Sequence, residues 1–393
     1  MLLVPLLLLA SADLTFTAEI AAGKVDRTHD PVRIPLTLPA GKSFTATATL
    51  DGKEVPVAVL MPQLGTAGKE TAEAWLIVPK LEAGKTATAK LTLNAGKPSG
   101  PLVWKKQPER ATLFNGTTPV LQYEHPKLDE SKREATFKVY HHAYSPEGVL
   151  LTKGVGGEFS HHRGLFYGFM KVSYDKTMVD IWHCRKQTHQ AHHSFLDESA
   201  PNAVVGRHRV RIDWNGDGNK TFAIEERELA AFPLPGGTLI EFASKLTPTV
   251  DEIKLDGDPQ HAGFHFRASN EVAGKEARQT TYFIRPDGVG KPGTEVNWPA
   301  NKKHVNLPWL AMNFGLGKER YTAVYLDLPT NPKEARFSER TYGRLGSYFV
   351  TTVTKDKPLL VRYRVWVQKG TPSTEAIEKW SQMFIHPAQA VVK

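Results

Sequence analysis

Short segments of alternating apolar and polar residues recur along almost the whole chain, with turn signals between them. Residues 43–50 alternate in this way, Asp51-Gly52 is a tight-turn dipeptide, and residues 54–57 alternate again. The same texture returns at 207–212, 221–224, 238–242 and 323–328. Period-two segments joined by such turns predict antiparallel strands and hairpins. Because no strand-like segment is followed by a long helical pattern, the sequence favours an all-β fold over a parallel α/β sheet.

The chain is longer than one hydrophobic core usually requires, so two domains are expected from its 393 residues. Residues 94–101 are poor in apolar side chains and rich in glycine and proline, which is typical of a linker. We therefore predict an Ig-like β-sandwich over residues 14–97 and a large antiparallel β-supersandwich over residues 102–393.

One short helix is predicted near the C-terminus. Thr371 could cap it and Pro372 would occupy its first position, followed by apolar residues at helical spacing, Ile377, Trp380 and Phe384.

The first residues form an apolar run that ends in Ala10-Ser11-Ala12, a small-x-small pattern of the kind that signal peptidase cuts. We predict a signal peptide over residues 1–12 and a periplasmic or secreted protein. No other stretch approaches the roughly 20 apolar residues of a membrane helix, so no membrane insertion is expected. Cys184 is the single cysteine, which excludes an internal disulfide framework.

The formal net charge of +9 is spread along the chain. Nucleic-acid-binding proteins usually carry a concentrated basic stripe or a recognisable motif, and neither is visible, so no nucleic-acid partner is expected. The sequence leaves the oligomeric state open.

The densest chemical signal is the segment 154–166, in which Glu158, His161, His162 and Arg163 follow a run of glycines. Imidazole is the side chain best suited to proton transfer near neutral pH. A functional role is predicted for at least one of the two histidines, although one of them could be a hydrogen-bonded core residue.

A second histidine-rich segment spans residues 179–193 and contains His183, His189, His192 and His193. Metal ions such as zinc require three or four donors converging at about 2 Å. Because Gln190 rather than Glu follows His189, the HExxH metal motif is missing, and a titratable or substrate-contacting histidine is the preferred interpretation.

Residues 261–267 are predicted to form a strand that places His261, His265 and Arg267 on one face. Two imidazoles and a guanidinium would suit the floor of a binding groove, and an ordinary solvated face fits the pattern equally well.

Several motifs together resemble a family of secreted bacterial proteins labelled PmoA-like. They are Tyr144-Ser145-Pro146-Glu147-Gly148 leading into Leu151-Thr152, the His161-His162-Arg163-Gly164-Leu165 box, Asp180-Ile181-Trp182, Asn331-Pro332 and Arg340-Thr341-Tyr342-Gly343. The resemblance covers nearly the whole chain, and the His-His-Arg-Gly box is its most specific motif. The sequence departs from the family where Glu158-Phe159-Ser160 precedes the box in place of Asp-His-Pro-like residues, which leaves open the carboxylate that would partner His161.

The family label implies a subunit of methane monooxygenase. That subunit is an integral membrane protein, and this sequence has no segment long and apolar enough to cross a bilayer, so we reject the oxygenase activity. The resemblance implies instead an Ig-like domain followed by a β-supersandwich similar to galactose mutarotases and polysaccharide lyases.

These features predict a carbohydrate-active enzyme that uses acid-base chemistry on a sugar, glycoside or uronate. His161 or His162 would be the general acid or base, with His183 as a second proton-transfer candidate. Arg163 and Arg267 would hold an anionic or electron-rich group of the substrate. Further predicted substrate contacts are Glu158, Asp180, Trp182 as a stacking platform, His265 and Tyr342.

Two alternatives belong to other classes. One is a non-catalytic glycan-binding or surface protein that uses the same groove. The other is a metal-dependent hydrolase in which His161, His183 and His189 hold a divalent ion; under the leading hypothesis no cofactor is expected.

Overall fold

The computed structural model describes residues 13–393, and nearly all regular structure in this range is β-strand. The strands pair antiparallel, as in the hairpins predicted from the alternating pattern. The all-β fold class is therefore confirmed. The signal peptide predicted for residues 1–12 lies outside the described residues.

Two sheets contain the first seven strands of the chain and its last strand. These strands are β1 Leu14–Ala21, β2 Arg27–Leu36, β3 Phe44–Leu50, β4 Lys53–Val55, β5 Val57–Leu60, β6 Ala72–Leu81, β7 Thr86–Ala95 and β29 Gln389–Val392. The larger sheet has the order β29-β1-β7-β3-β4 and the smaller one β2-β6-β5. Buried side chains such as Ile20, Ile34, Leu76 and Leu91 fill the space between the sheets. The C-terminal strand thus completes a sheet that otherwise belongs to the N-terminal part of the chain.

Three further sheets contain the remaining strands. These are β8 Leu102–Gln107, β9 Arg110–Asn115, β10 Thr118–Glu124, β11 Tyr140–Ala143, β12 Leu165–Phe169, β13 Lys171–Tyr174, β14 Thr177–Val179, β15 His189–Glu198, β16 Gly206–Asn215, β17 Thr221–Leu234, β18 Gly237–Pro248, β19 Glu252–Asp256, β20 Ala262–Arg267, β21 Tyr282–Arg285, β22 Gly288–Val289, β23 Trp309–Leu316, β24 Glu319–Asp327, β25 Arg336–Arg340, β26 Arg344–Tyr348, β27 Thr351–Thr354 and β28 Leu359–Lys369. Their orders are β25-β26-β20-β12-β11-β10-β9-β8, β15-β16-β17-β18-β28-β24-β23-β21-β22 and β14-β13-β19-β27.

The eight-stranded and nine-stranded sheets enclose the main core. Aromatic side chains meet there, for example Phe242 of β18 stacked on Phe264 of β20 with ring centroids 4.1 Å apart. Burying such large apolar surfaces is the main stabilising contribution to a fold of this kind.

The outer face of the nine-stranded sheet is also covered. Trp366 of β28 stacks on Trp380, with ring centroids 4.5 Å apart, in a cluster that includes Trp75 of β6. Trp380 belongs to the helix α3, Thr374–Ile385, which confirms the predicted C-terminal helix. Its cap is Ser373, whose hydroxyl accepts a hydrogen bond from the backbone N–H of Ala376, so the helix begins later than predicted.

Helices are otherwise short. They are α1 Arg133–Thr136, α2 Lys275–Thr280 and the 3-10 turns Glu130–Lys132, Asp217–Asn219 and Asn270–Ala273. No helix within residues 13–393 is long and apolar enough to span a membrane.

The outer face of the eight-stranded sheet carries the histidine-rich loops. On β12, Leu165 and Tyr167 point into the main core, whereas Phe166 packs outward against Trp182. Phe166 is paired with His265 of β20, and these outward side chains form the floor on which the loops 151–164 and 180–188 rest.

Candidate metal centre

Three histidines from three separate loops converge above this outer face. His161 lies before β12, His183 follows β14 and His261 precedes β20. Their ring centroids are 4.5, 5.3 and 4.6 Å apart, and one ligand nitrogen from each lies within 4.8 Å of the others. We call His161, His183 and His261 the histidine triad.

The His183 ring is oriented by a local Asp-x-x-His turn. Asp180 Oδ1 accepts hydrogen bonds from the backbone N–H groups of Trp182 and His183, at 3.0 and 2.7 Å. Asp180 Oδ2 lies 2.8 Å from His183 Nδ1. One carboxylate therefore fixes both the turn and the imidazole.

His261 is held in the same way by a second Asp-x-x-His turn. Asp258 Oδ1 accepts from the backbone N–H groups of Gln260 and His261, at 2.7 and 3.0 Å, and His261 Nδ1 lies 3.0 Å from both carboxylate oxygens. Burial alone would raise the pKa of Asp258, but its hydrogen bond to His261 and the other contacts of the turn lower it. The carboxylate thus stays ionised as an acceptor.

A carboxylate at Nδ1 determines the tautomer of each ring. Since the carboxylate can only accept, Nδ1 carries the proton and Nε2 of the neutral imidazole keeps its lone pair. Histidines that ligate metal ions are commonly oriented by an outer carboxylate in this arrangement. Two of the three triad members are therefore set up as metal ligands.

His161 contributes the third imidazole. Its Nε2 is buried and has no hydrogen-bond partner among residues 13–393. Burial, assisted by the neighbouring His183 and Lys138, lowers the pKa of His161 to about 3, so the ring is neutral at physiological pH. A buried, neutral nitrogen without a partner needs an explanation, and a metal ion would provide one.

The dimensions suit a zinc ion after a modest contraction. In a tetrahedral site with zinc-nitrogen bonds of about 2.0–2.1 Å, ligand nitrogens are roughly 3.3 Å apart. The triad nitrogens would have to approach by on the order of 1 Å. The His183 and His261 side chains are 12% and 20% exposed, so the triad is in contact with solvent.

The proposed ligand His189 lies elsewhere. Its Nδ1 is 2.9 Å from the carbonyl oxygen of Gln187 and its Nε2 is 3.2 Å from the Asn215 amide nitrogen, so both ring nitrogens are occupied. The metal set of the sequence analysis is corrected accordingly: His161 and His183 are joined by His261. Sequence reasoning placed His261 in a strand, but the strand begins at Ala262 and the Asp258 turn determines the direction of the ring.

The other residues of the His161 box are buried. The His162 ring lies 4.2 Å from the His161 ring and is 2% exposed, and burial holds its pKa well below the usual value. Arg163 donates to the backbone carbonyls of Glu134, Ala135 and Ser160. Arg163 therefore fixes the loop, and its predicted contact with substrate is not seen.

Trp182 is not a stacking platform. It is 1% exposed, and its ring packs between Phe166 and His265 with centroid distances of 5.1 and 4.7 Å. His265 is itself buried, and its Nδ1 lies 2.6 Å from Arg344. Both residues support the triad from below.

Phe159 was missed by sequence reasoning as a candidate binding residue. It is 40% exposed, and its ring lies 6.4 Å from that of His161 and 4.6 Å from that of Tyr342. Its backbone φ of +52° is unusual for a bulky residue, and such strain is concentrated at functional sites. The predicted contacts Glu158 and Arg267 lie on the same side: Glu158 pairs with Arg278, and the Arg267 guanidinium lies 5.0 Å from the Tyr342 ring.

Comparison with curated proteins gives no match. Among solved structures, the chain is similar to a protein of glycosyl hydrolase family 38 from Enterococcus faecalis, with 8% identity and a TM-score of 0.37. The alignment covers 96% of this chain but 47% of that one, so this chain spans less than half of its length.

A family model matches residues 111–382, which include the whole triad and most of the chain. The chain therefore belongs to the family of unknown function DUF6807.

Proposed function

We propose that this protein is a metal-dependent enzyme that acts on a carbohydrate, with a divalent ion, zinc first, held by His161, His183 and His261. The observation that carries the proposal is the convergence of three imidazoles, two of which have an aspartate at Nδ1 and so keep Nε2 for a metal ion. Three histidines with an open fourth position are a ligand set of catalytic zinc sites.

A zinc ion held by these three histidines would lower the pKa of a coordinated water to about 7 and would polarise an oxygen of the substrate. The protein's own residues orient the ligands. Asp180 and Asp258 hold two imidazoles in the ligating tautomer, and the floor formed by Trp182 and His265 keeps them in place.

The carbohydrate part of the proposal has two supports. The His161 box resembles a family whose predicted supersandwich is similar to sugar-acting proteins, and the exposed Phe159 ring beside the triad offers a face on which a sugar could stack. Export to the periplasm or the medium is proposed from the apolar first residues.

Acid-base catalysis by His162 and Arg163 is less favoured by the geometry. His162 is 2% exposed and Arg163 is engaged with backbone carbonyls, so neither side chain reaches a substrate without rearrangement. A non-catalytic glycan-binding protein would use the same surface, and only turnover separates it from an enzyme.

The test is turnover on a panel of neutral and uronate-containing oligosaccharides, followed by new reducing ends and by the ultraviolet absorbance of unsaturated products. We expect activity that disappears on chelation, returns with zinc and falls by orders of magnitude in His261→Ala. Asp256→Asn removes a negative charge two residues before Asp258 but no contact with a histidine, so the turnover of this variant should stay close to that of the wild type. Turnover that is insensitive to chelators would contradict the proposal, and sugar binding without turnover would favour the glycan-binding alternative.

A further inference from the structure

We propose that the ligand of the triad is anionic, a carboxylate-bearing sugar such as a uronate. The inference rests on the proposed carbohydrate function but uses a separate observation, the distribution of buried positive charge. Buried charges in proteins are normally paired or coordinated to metals, because an isolated charge is costly to remove from water.

Four buried arginines follow this rule, each having a carboxylate partner. They are Arg27 with Asp30, Arg207 with Glu73, Arg227 with Glu225 and Arg364 with Glu241.

Five other buried cations form no ion pair with a carboxylate of residues 13–393. They are Lys138, Lys153, Arg163, Arg267 and Arg344, each 3% exposed or less. We call them the buried cation group. The buried cation group thus departs from the rule that buried charges are paired with an opposite charge.

All five lie against the loops of the triad. Lys138 Nζ donates to the carbonyl oxygen of His161 at 3.0 Å, and Lys153 Nζ to that of His162 at 3.3 Å. Arg163 donates to the carbonyl oxygen of Ser160, Arg344 donates to that of Pro259 at 3.3 Å, and the backbone N–H of Arg267 donates to that of Gly164 at 2.8 Å. The excess positive charge is therefore local to one site, and the three arginines carry most of it, because burial lowers the pKa of Lys138 to about 7 and that of Lys153 to about 8.

Arg267 is the member with free hydrogen-bonding capacity. Its NH1 group donates to the carbonyl oxygens of Ala268 and Tyr342, but Nε and NH2 are buried without a partner among the described residues. A guanidinium with two unused donors is suited to a carboxylate, which can accept from both. Because Arg267 is 1% exposed, side chains that cover it, Tyr342 among them, must move to admit the carboxylate. Its neighbour Tyr342 is in contact with Phe159, the proposed stacking residue.

The carboxylates near the triad offset only part of the charge of the buried cation group. Asp180 and Asp258 each contact a triad histidine and form no ion pair with a member of the group, and Glu158 is paired with Arg278. A divalent ion would add further positive charge. An anionic ligand would offset this excess, and a neutral sugar would not.

Isothermal titration calorimetry of the full-length protein tests this with glucuronate and galacturonate against glucose and galactose. Zinc-loaded and chelated samples are compared, with metal content measured on each. We expect the acids to bind at least about 10-fold more tightly than the neutral sugars at low ionic strength, with the preference shrinking as salt is added. Because the cations belong to the chain, the preference should persist in the chelated protein, so failure of metal binding and failure of this inference are distinguishable.

Arg267→Gln should reduce the preference, whereas Lys245→Gln, which removes one charge from an exposed pair with Glu226, should not. Arg267→Lys is a control variant that keeps the charge. Thermal unfolding of each variant shows whether it is folded. Equal affinity for acids and neutral sugars would overturn the inference, as would a preference unchanged in folded Arg267→Gln. Inorganic phosphate or sulfate binding as tightly as the uronates would overturn the sugar-acid assignment in favour of a simple anion site.

Discussion

Replacing Asp258 by asparagine should weaken metal binding without unfolding the turn. The amide oxygen of the asparagine could still accept the two backbone hydrogen bonds now made to Asp258 Oδ1. The amide NH2 group, however, would face His261 Nδ1, which now lies 3.0 Å from both carboxylate oxygens. The amide N–H and the ring N–H would then be two donors facing each other. The ring can avoid this by moving its proton from Nδ1 to Nε2, and a protonated Nε2 cannot ligate a metal ion.

Loss of an outer carboxylate typically reduces metal affinity 10–100-fold, or about 1.4–2.7 kcal/mol. We expect this range for zinc bound to Asp258→Asn, measured by competition with a chromogenic chelator. Asp256→Asn is the matched control, because Asp256 contacts Gly257 and Lys254 and no histidine. Wild-type affinity in Asp258→Asn, or an equal loss in Asp256→Asn, would refute the reasoning.

Three further predictions concern single residues. His189→Ala should leave metal stoichiometry unchanged, because both of its ring nitrogens bond within the protein; a metal-depleted variant would return His189 to the ligand set. Phe159→Ala should weaken sugar binding about five-fold, near 1 kcal/mol, while Phe159→Tyr retains it, as titration calorimetry would show; equal affinities would exclude stacking. Burial lowers the pKa of His142 to about 4, so the unfolded chain binds its proton first, and the contribution of His142 to the free energy of unfolding should fall by at most about 3 kcal/mol between pH 6.5 and 4. Urea unfolding should show a smaller acid loss in His142→Asn, and an identical loss would contradict the assignment.

The fold class was predictable because its signal is local. Strand alternation depends on neighbouring residues, as in β28, where Val361, Tyr363 and Val365 point inward. The residues that cover the opposite face of such a strand come from distant parts of the sequence. Alternation alone could not show that Trp366 packs on Trp380, or that the last strand, Gln389–Val392, returns to pair with Leu14–Ala21.

Only part of the site was predictable, because local sequence signals reveal some of its residues and long-range contacts bring in the others. The clustering of His161 and His183 in sequence drew attention to them, but His261 lies far along the chain and meets them only through the fold of the sheet. A local signal was nevertheless present: Asp180 and Asp258 each precede a triad histidine by three residues. The burial of Trp182, in contrast, depends on packing against Phe166 and His265, which lie on two paired strands of the eight-stranded sheet.

The central claim is the metal centre, and the most direct measurement is elemental analysis of the purified protein by plasma mass spectrometry after dialysis against zinc. The account predicts close to one zinc ion per wild-type chain, almost none in folded His261→Ala, and wild-type content in His189→Ala. A metal-free wild-type protein, or a His261→Ala variant that retains the full zinc content, would contradict it.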